Sequence, residues 1–354
     1  MRQRVHDEVV KYITWCLNAA AEGIGPTRDF YGQELQGNSK RLAGARLCGG
    51  WKYLLCAWKG DCKSRKESHR FSAGSSCINC CDQCRATQPF PKADESLLYC
   101  DFSASANWRA TVESEFSQQS PWRFVRGWSQ SLIHWDDLHL LYLGIFRDCC
   151  GSLLHELVAE GRFGLGPRDV RLAAAWRDLR VWCRTHYLNL PKGSFTVAST
   201  HAQSEGGYAT LNSTFKAADV KIISQWLSHK TVSIAHDGSR HQRVRSVVAW
   251  AMGEYIYLCD AYGQVLSESE ADRLAFAGRA YITSFAFLAW ESYTSGVKLW
   301  KIRPKLHYFD HQIDRVLKER LNPKHLACWI DETFMGRVKR VGQACHGATA
   351  CLRI

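Results

Sequence analysis

The sequence predicts an α/β part followed by a larger all-α part. Two short apolar and aromatic runs, at residues 51–58 and 96–102, are typical of buried strands. From residue 168 onward, apolar side chains recur at helical spacing through several long segments. A chain of 354 residues can hold two or three domains, and the change of pattern divides it into residues 1–135, 136–298 and 299–354.

Composition and charge narrow the class of protein. With 46% hydrophobic and 12% aromatic residues, the chain has a globular composition. Its net charge of +12 favours a polyanionic partner, nucleic acid first. The charged N-terminus lacks the apolar core of a signal peptide, and no window is apolar enough to span a membrane. Sixteen cysteines in a chain expected to be intracellular indicate reduced thiols, some of them metal ligands.

The first elements lead to a candidate acidic residue. Apolar residues at helical spacing predict a helix over residues 5–24. The strand predicted at 51–58 is followed by Asp61, and open α/β sheets place their chemistry just past the carboxyl ends of buried strands. The alternative is that Asp61 is an ordinary turn residue after Gly60.

Two adjacent C-x-x-C pairs follow, formed by Cys77 with Cys80 and by Cys81 with Cys84. A C-x-x-C loop can place two thiolates on a tetrahedral zinc ion. Because the two pairs abut, four sulfurs on one ion would need a tight turn. A zinc site could instead use one pair with His69, or one pair with a distant histidine or cysteine, and incidental thiols are the remaining interpretation.

The stretch from Trp135 to Cys150 places acids and a histidine ahead of an apolar, helix-compatible run. Asp136 and His139 are three residues apart, so a helix would place them on one face. Such a pair suits metal binding, proton transfer or phosphate binding. The alternative is an aspartate that caps a helix beside a histidine without a chemical role.

The remaining patterns are helical. They cover residues 168–186, 215–229, 243–259 and 271–295. Basic and aromatic residues then alternate over 299–311, which predicts either nucleic-acid binding or a helix that starts at a proline and packs its histidines and aromatics inside. A last helix over 331–341 has Glu332 in its first turn and one apolar face.

Taken together, five short motifs resemble the catalytic region of a cut-and-paste DNA transposase with an RNase H-like core, and most closely the CACTA (En/Spm-like) group. The resemblance extends over most of the chain, and it depends on the order and spacing of the motifs. The residues that carry it are Lys59 to Lys63 around Asp61, Cys81 and Cys84, Asp136 and His139 with Leu143 and Gly144, Lys305 to Tyr308, and Glu332 ahead of Phe334 to Arg337.

The resemblance implies a partial RNase H-like core that a large helical insertion interrupts. It makes Asp61 the second and Glu332 the third of three acids that hold two Mg²⁺ (or Mn²⁺) ions, with Asp136 and His139 as an accompanying acid-x-x-histidine pair. Two such ions promote an in-line phosphoryl displacement on DNA. DNA, a homo-oligomer and a nuclear location are expected. The expected DNA contacts are Lys59, Lys63, Lys305, His307, Arg337, Lys339 and Arg340.

One family feature is not found in this sequence. The first acid should lie on a strand ahead of the helix at 5–24, but Asp7 falls inside the helical pattern. The first strands are therefore expected to be missing, and a truncated, element-derived fragment that is incomplete as a catalyst is expected.

Two further hypotheses come from the residues alone. The net charge and the cysteines at 77–84 suit a non-enzymatic protein that binds zinc and DNA, or an interaction protein. A helical scaffold without a nucleic-acid role would instead scatter its basic residues over the surface.

Overall fold

The computed structural model describes residues 2–88, 98–109, 120–201, 207–234 and 238–344. It is mostly helical and contains a small two-stranded parallel sheet. The chain divides into two compact units. The first comprises Met1–Tyr99 and Ser103–His134, and the second comprises Cys100–Phe102 and Trp135–Ile354. Residues 299–344 thus fall in the same unit as the helical block, and the expected return of the segment 299–354 to the α/β core stays a prediction.

The first unit begins with the predicted helix, α1 (Arg2–Glu22). One face of α1 is apolar, and its Val10 lies in a small core with Trp122 and Val125 from a 3₁₀ turn, Pro121–Phe124. The packing is reinforced where Asn18 donates a 3.0 Å hydrogen bond to the Phe124 carbonyl. A buried apolar stripe thus explains why this segment is helical.

The sheet pairs β1 (Trp58–Gly60) with β2 (Ile133–Trp135), and α2 (Cys62–His69) follows β1. The strand predicted over 51–58 is wrong in its bounds, because the chain is extended only from Trp58. Trp51 and Leu54 are 75% and 71% exposed. The run is apolar but has no strand beside it, and a strand without a partner leaves its backbone groups unpaired.

The second predicted strand, at 96–102, is not a strand where the structure describes it. Leu98–Cys100 forms a single 3₁₀ turn, and residues 96–97 lie outside the described residues. The small sheet beside a mostly helical remainder confirms the coarse fold class. A complete RNase H-like core stays a prediction.

The second unit starts with the helix predicted after Trp135. Its first eight residues, Leu138–Ile145, form a π-helical segment, and α3 (Phe146–Ala159) continues from it. The Phe146 N–H donates to the Leu141 carbonyl, five residues back, as a π-helix requires.

Periodicity predicted five of the remaining long helices to within a few residues at each end. They are α4 (Arg168–Thr185), α5 (Ala217–Val232), α6 (Arg240–Ala261), α7 (Glu268–Thr294) and α9 (Trp329–Ala344). The helix between the last two, α8 (Pro304–Glu319), begins inside the segment 299–311 and continues eight residues beyond it. Helix α8 starts at a proline and buries His307, Tyr308 and Phe309. Of the two interpretations of this segment, the internally packed helix describes its structure.

The core of the second unit lies where α5, α6, α7 and α8 pack side by side. Aromatic rings fill it, and Tyr281 meets Phe309 and Phe285 with ring centroids 6.0 and 5.7 Å apart. Gly278 allows α8 to approach α7, because a Cβ there would lie 2.6 Å from Ile313 Cδ1. No helix in the described part of the chain is long and apolar enough to cross a membrane.

Candidate functional site

Asp136 is buried and its carboxylate is saturated with hydrogen bonds. Oδ1 accepts from the Leu138 N–H at 3.0 Å and from the Cys328 N–H at 2.8 Å, and Oδ2 accepts from His139 Nδ1 at 2.5 Å. Burial alone would raise the pKa of Asp136, but these bonds hold the pKa below its usual range. The carboxylate is therefore ionised, and its bond to His139 keeps a proton on Nδ1 of the imidazole.

The other ring nitrogen of His139 faces Glu332. Nε2 lies 3.8 Å from Glu332 Oε1, and the two side chains are 23% and 57% exposed. Asp136, His139 and Glu332 are thus brought together on the second unit, although His139 and Glu332 are 193 residues apart in the sequence. An imidazole with one nitrogen fixed and the other accessible can exchange a proton or bind an anionic oxygen.

The π-helical segment gives His139 its position, and Lys305 supports that segment. Lys305 Nζ donates to the carbonyls of His139 at 2.6 Å and Leu143 at 3.3 Å. Gly144 leaves room for it, because a Cβ there would lie 2.7 Å from Lys305 Cδ. Lys305 is also one of the expected DNA contacts, and that role stays a prediction.

Asp137, next in the chain, has a different environment. Burial raises its pKa to about 7, and the hydrogen bond that it accepts from Gln312 only partly opposes this. Gln312 also donates to the Tyr255 hydroxyl at 3.3 Å. The pKa values of the two adjacent aspartates are thus shifted in opposite directions, since Asp136 has three donors and Asp137 has one amide.

Asp61 lies in the first unit and caps α2. Its carboxylate accepts from the Ser64 N–H at 2.5 Å, which is the bond that a helix N-cap makes. This is the turn role that the sequence left open as the alternative. Of the two lysines expected beside it, Lys59 is exposed and Lys63 lies 3.9 Å from Glu67 on the same helix. The assignment of Asp61 as a metal ligand stays a prediction.

The four cysteines at 77–84 separate into two kinds. Cys81 and Cys84 are buried, and their Sγ atoms accept from the N–H groups of Gln83 and Ala86, each at 3.4 Å. Cys77 Sγ instead accepts from Lys66 Nζ at 2.8 Å, and Cys80 Sγ donates to the Ala86 carbonyl at 3.4 Å. The loop therefore provides one C-x-x-C pair arranged like a zinc knuckle rather than two.

A buried ion pair anchors this loop. Arg65 Nη2 donates to Asp82 at 2.8 and 3.0 Å, and the two side chains are 3% and 5% exposed. Asp82 stands between Cys81 and Cys84 in the sequence. Because a bidentate arginine–carboxylate pair fixes both planes, the pair defines the orientation of the two thiols.

His69, one of the alternative zinc ligands, has a structural environment. Its ring stacks on Phe71 at 5.4 Å and meets Trp58 edge-on at 5.7 Å. Burial, aided by nearby Arg65, lowers the pKa of His69 to about 3. Among the described residues it belongs to no set of side chains that could hold a metal ion.

Helix α8 carries a second candidate ligand pair. His307 and His311 are four residues apart, so they share one face of the helix, and their ring centroids are 4.7 Å apart. His307 is fully buried and His311 is half-buried. The H-x₃-H spacing is that of the histidine half of a Cys₂His₂ zinc site. His307 is therefore placed inside its unit rather than on a surface open to DNA.

The other expected DNA contacts lie on α9. Arg337, Lys339 and Arg340 are exposed, and so are the apolar residues Phe334 and Val341. The apolar face predicted for this helix thus points to solvent. These three cations are accessible to a polyanion, and their role in DNA binding stays a prediction.

Sequence reasoning missed a network of charges in the second unit. His241 donates to Glu156 at 3.0 Å and to Glu291 at 2.7 Å, and Arg245, 1% exposed, pairs with Glu156 at 3.0 Å and Glu160 at 2.6 Å. The bond to Glu156 raises the pKa of His241 to about 9, with Glu291 adding to it against burial. The hydrogen-bonded partners of this network are 50 to 89 residues apart in the sequence, so no local motif could reveal them.

This network borders a cavity of about 620 Å³. Its lining includes Glu156, Glu160, His241, Glu291, Thr294 and Leu299. Glu156 also accepts from Trp300 Nε1 at 2.7 Å. The positive charges of His241 and Arg245 offset most of the negative charge of the three carboxylates. The same ion pairs connect α3, α6 and α7.

Comparison with known proteins gives no match: no family model, no curated protein and no solved structure is similar to this chain.

Proposed function

We propose that the chain is a transposase-derived DNA-binding protein related to the CACTA group. The observation that carries the proposal is the cluster of Asp136, His139 and Glu332. The resemblance assigns these three residues to one catalytic region, and sequence spacing alone gives no reason for Glu332 to meet the other two.

In this proposal His139 binds or protonates a phosphate oxygen of DNA through Nε2. Asp136 acts as the positioning residue, because its oxygens already accept three hydrogen bonds and have little capacity left for a metal ion. Glu332 is the exposed acid of the cluster. Among the described residues, the three do not converge as ligands of a single ion. We therefore expect DNA binding, with the Mg²⁺ chemistry of Asp61 and Glu332 incomplete.

Fluorescence anisotropy with a labelled 30-base-pair duplex tests the proposal. His139→Gln should weaken binding several-fold at 100 mM NaCl, while His325→Gln, which changes an exposed histidine in the same unit, should not. A wild-type chain that fails to bind the duplex at 50 mM NaCl would refute the proposal. Strand cleavage with Mg²⁺ that both Asp61→Asn and Glu332→Gln abolish would instead establish a complete catalyst.

A second function, zinc binding, rests on a different observation. We infer that the chain binds a metal ion such as zinc through two candidate ligand pairs, Cys81 with Cys84 in the first unit and His307 with His311 in the second unit. N–H···S bonds orient the two thiols, and one turn of α8 aligns the two imidazoles. Thiolates and imidazoles are the ligands that structural Zn²⁺ sites use.

Metal analysis of the purified chain tests the zinc proposal. We expect bound Zn²⁺ in the wild-type chain, and less of it in Cys81→Ser and in His311→Ala. The controls are Cys77→Ser, from the neighbouring pair, and His325→Ala, and both should keep the metal. Loss of zinc in Cys77→Ser and not in Cys81→Ser would assign the ion to the wrong pair and overturn the ligand set.

A further inference from the structure

Helix α4 carries a stripe of three arginines on its solvent face. Arg177, Arg180 and Arg184 are all exposed. At 100° per residue they fall within about 60° of one another around the helix. The opposite face is buried through Leu172, Ala175, Trp176, Leu179 and Cys183. The stripe is therefore fixed in direction by the packing of α4.

The charges of the stripe are not neutralised within the unit. In the described part of the chain, no carboxylate forms an ion pair with any of the three guanidinium groups. Asp178 is on the same helix, but it accepts from Trp226 Nε1 at 2.9 Å and pairs with Lys230 at 2.6 Å. By contrast, Arg273 and Arg320 elsewhere in the unit are paired with acids.

We propose that the stripe of Arg177, Arg180 and Arg184 binds phosphates of one DNA strand. Seven residues of α-helix rise about 10 Å between the first and last arginine, which matches the axial advance of three phosphate-to-phosphate steps on one strand of B-DNA, so the three arginines can reach phosphates within a run of four. Guanidinium groups bind phosphates with paired N–H donors, which suits a row of anions better than a single acidic side chain. The identity of the partner as DNA rests on the proposed function.

The experiment compares two variants that each lose three positive charges, at different positions. One is Arg177→Gln/Arg180→Gln/Arg184→Gln. The control is Arg273→Gln/Arg320→Gln/Lys324→Gln, in which each cation has an acidic partner. The full-length chain is titrated into a labelled 30-base-pair duplex between 50 and 200 mM NaCl, and circular dichroism verifies that both variants fold.

Each phosphate contact contributes about 0.9 to the slope of log K against log salt, so the stripe variant should lose about 2.7 from the slope and about 500-fold in affinity at 0.1 M salt. The control should keep its slope to within about 0.5. Equal losses in both variants would show that net charge governs binding and overturn the stripe. If the stripe variant keeps the wild-type slope of log K against log salt, the stripe is not the binding surface, while the proposal of DNA binding still stands. No binding by the wild-type chain would remove the proposed function and this inference together.

Discussion

Replacing Arg245 by methionine tests the buried network most directly. Arg245 is 1% exposed and its guanidinium serves two carboxylates, Glu156 and Glu160, whose side chains are 11% and 25% exposed. Removing one partner of a buried ion pair leaves the other charge uncompensated and typically costs about 3–5 kcal/mol. For a unit of this size the loss corresponds to a decrease of about 6–20 °C in the melting temperature.

The effect should depend on pH in a defined direction. Burial would raise the pKa of Glu160, but Arg245 lowers it to about 2 from an ordinary value of 4.5. A carboxyl group with a lowered pKa stabilises the fold above its unfolded pKa and loses that contribution as the pH falls towards 2. The variant lacks this contribution, so its deficit in unfolding free energy should be largest at pH 7 and smaller near pH 3.

Urea denaturation followed by circular dichroism at both pH values measures the deficit. Arg273→Met is the control, because Arg273 is 63% exposed and its pair with Glu254 should contribute less than about 1 kcal/mol. Adding Glu156→Gln and Glu160→Gln to Arg245→Met should restore part of the stability, since no buried charge is then left alone. A variant within about 1 kcal/mol of the wild type at pH 7 would contradict the reasoning.

Three other substitutions address packing and protonation. Gly278→Ala should destabilise the chain by about 1–3 kcal/mol because its Cβ would overlap a side chain of α8, whereas Gly263→Ala, with no atom within 4 Å of the new Cβ, should not. Asp137→Asn should gain stability relative to the wild type as the pH rises from 4 to 8. The pKa of Asp137 is about 7 in the folded state and lower in the unfolded state, so the wild type loses stability as the pH rises through this range. Unfolding free energies with the same pH slope in both proteins would refute this. Trp300→Phe should cost about 1.5–3 kcal/mol by removing the hydrogen bond to the ionised Glu156, measured by thermal unfolding, and a smaller loss would mean that the indole N–H contributes little.

The helices were predictable because each buries one apolar face, and such a face requires apolar residues to recur at helical spacing in the sequence. The patterns at 168–186 and 271–295 match α4 and α7 closely. The run at 51–58 failed because apolar composition does not show whether a strand has a neighbour. Only three residues, Trp58–Gly60, pair with β2.

Among the candidate sites, contacts within one helix were predictable and contacts between residues distant in the sequence were not. The i, i+3 spacing predicted that Asp136 and His139 would share a helix face, and a hydrogen bond joins them. The proximity of His139 and Glu332 could not be predicted from spacing, because the two residues are 193 positions apart. His241 could not be anticipated at all, because its partners Glu156 and Glu291 are 85 and 50 residues away and nothing in their neighbourhoods differs from an ordinary helix surface.

The π-helical segment at Leu138–Ile145 has a consequence for insertions and deletions. Its hydrogen bonds close over five residues where an α-helix closes over four, so the segment accommodates one residue more than a regular helix of the same turns. Deletion of Gly144 would let the segment form regular α-helical hydrogen bonds. The residues before position 144 would then rotate by about 100° around the helix axis relative to α3. His139 would then leave Glu332 while α3 kept its own register. A length change of a single residue can therefore disconnect the cluster without unfolding the helix that carries it.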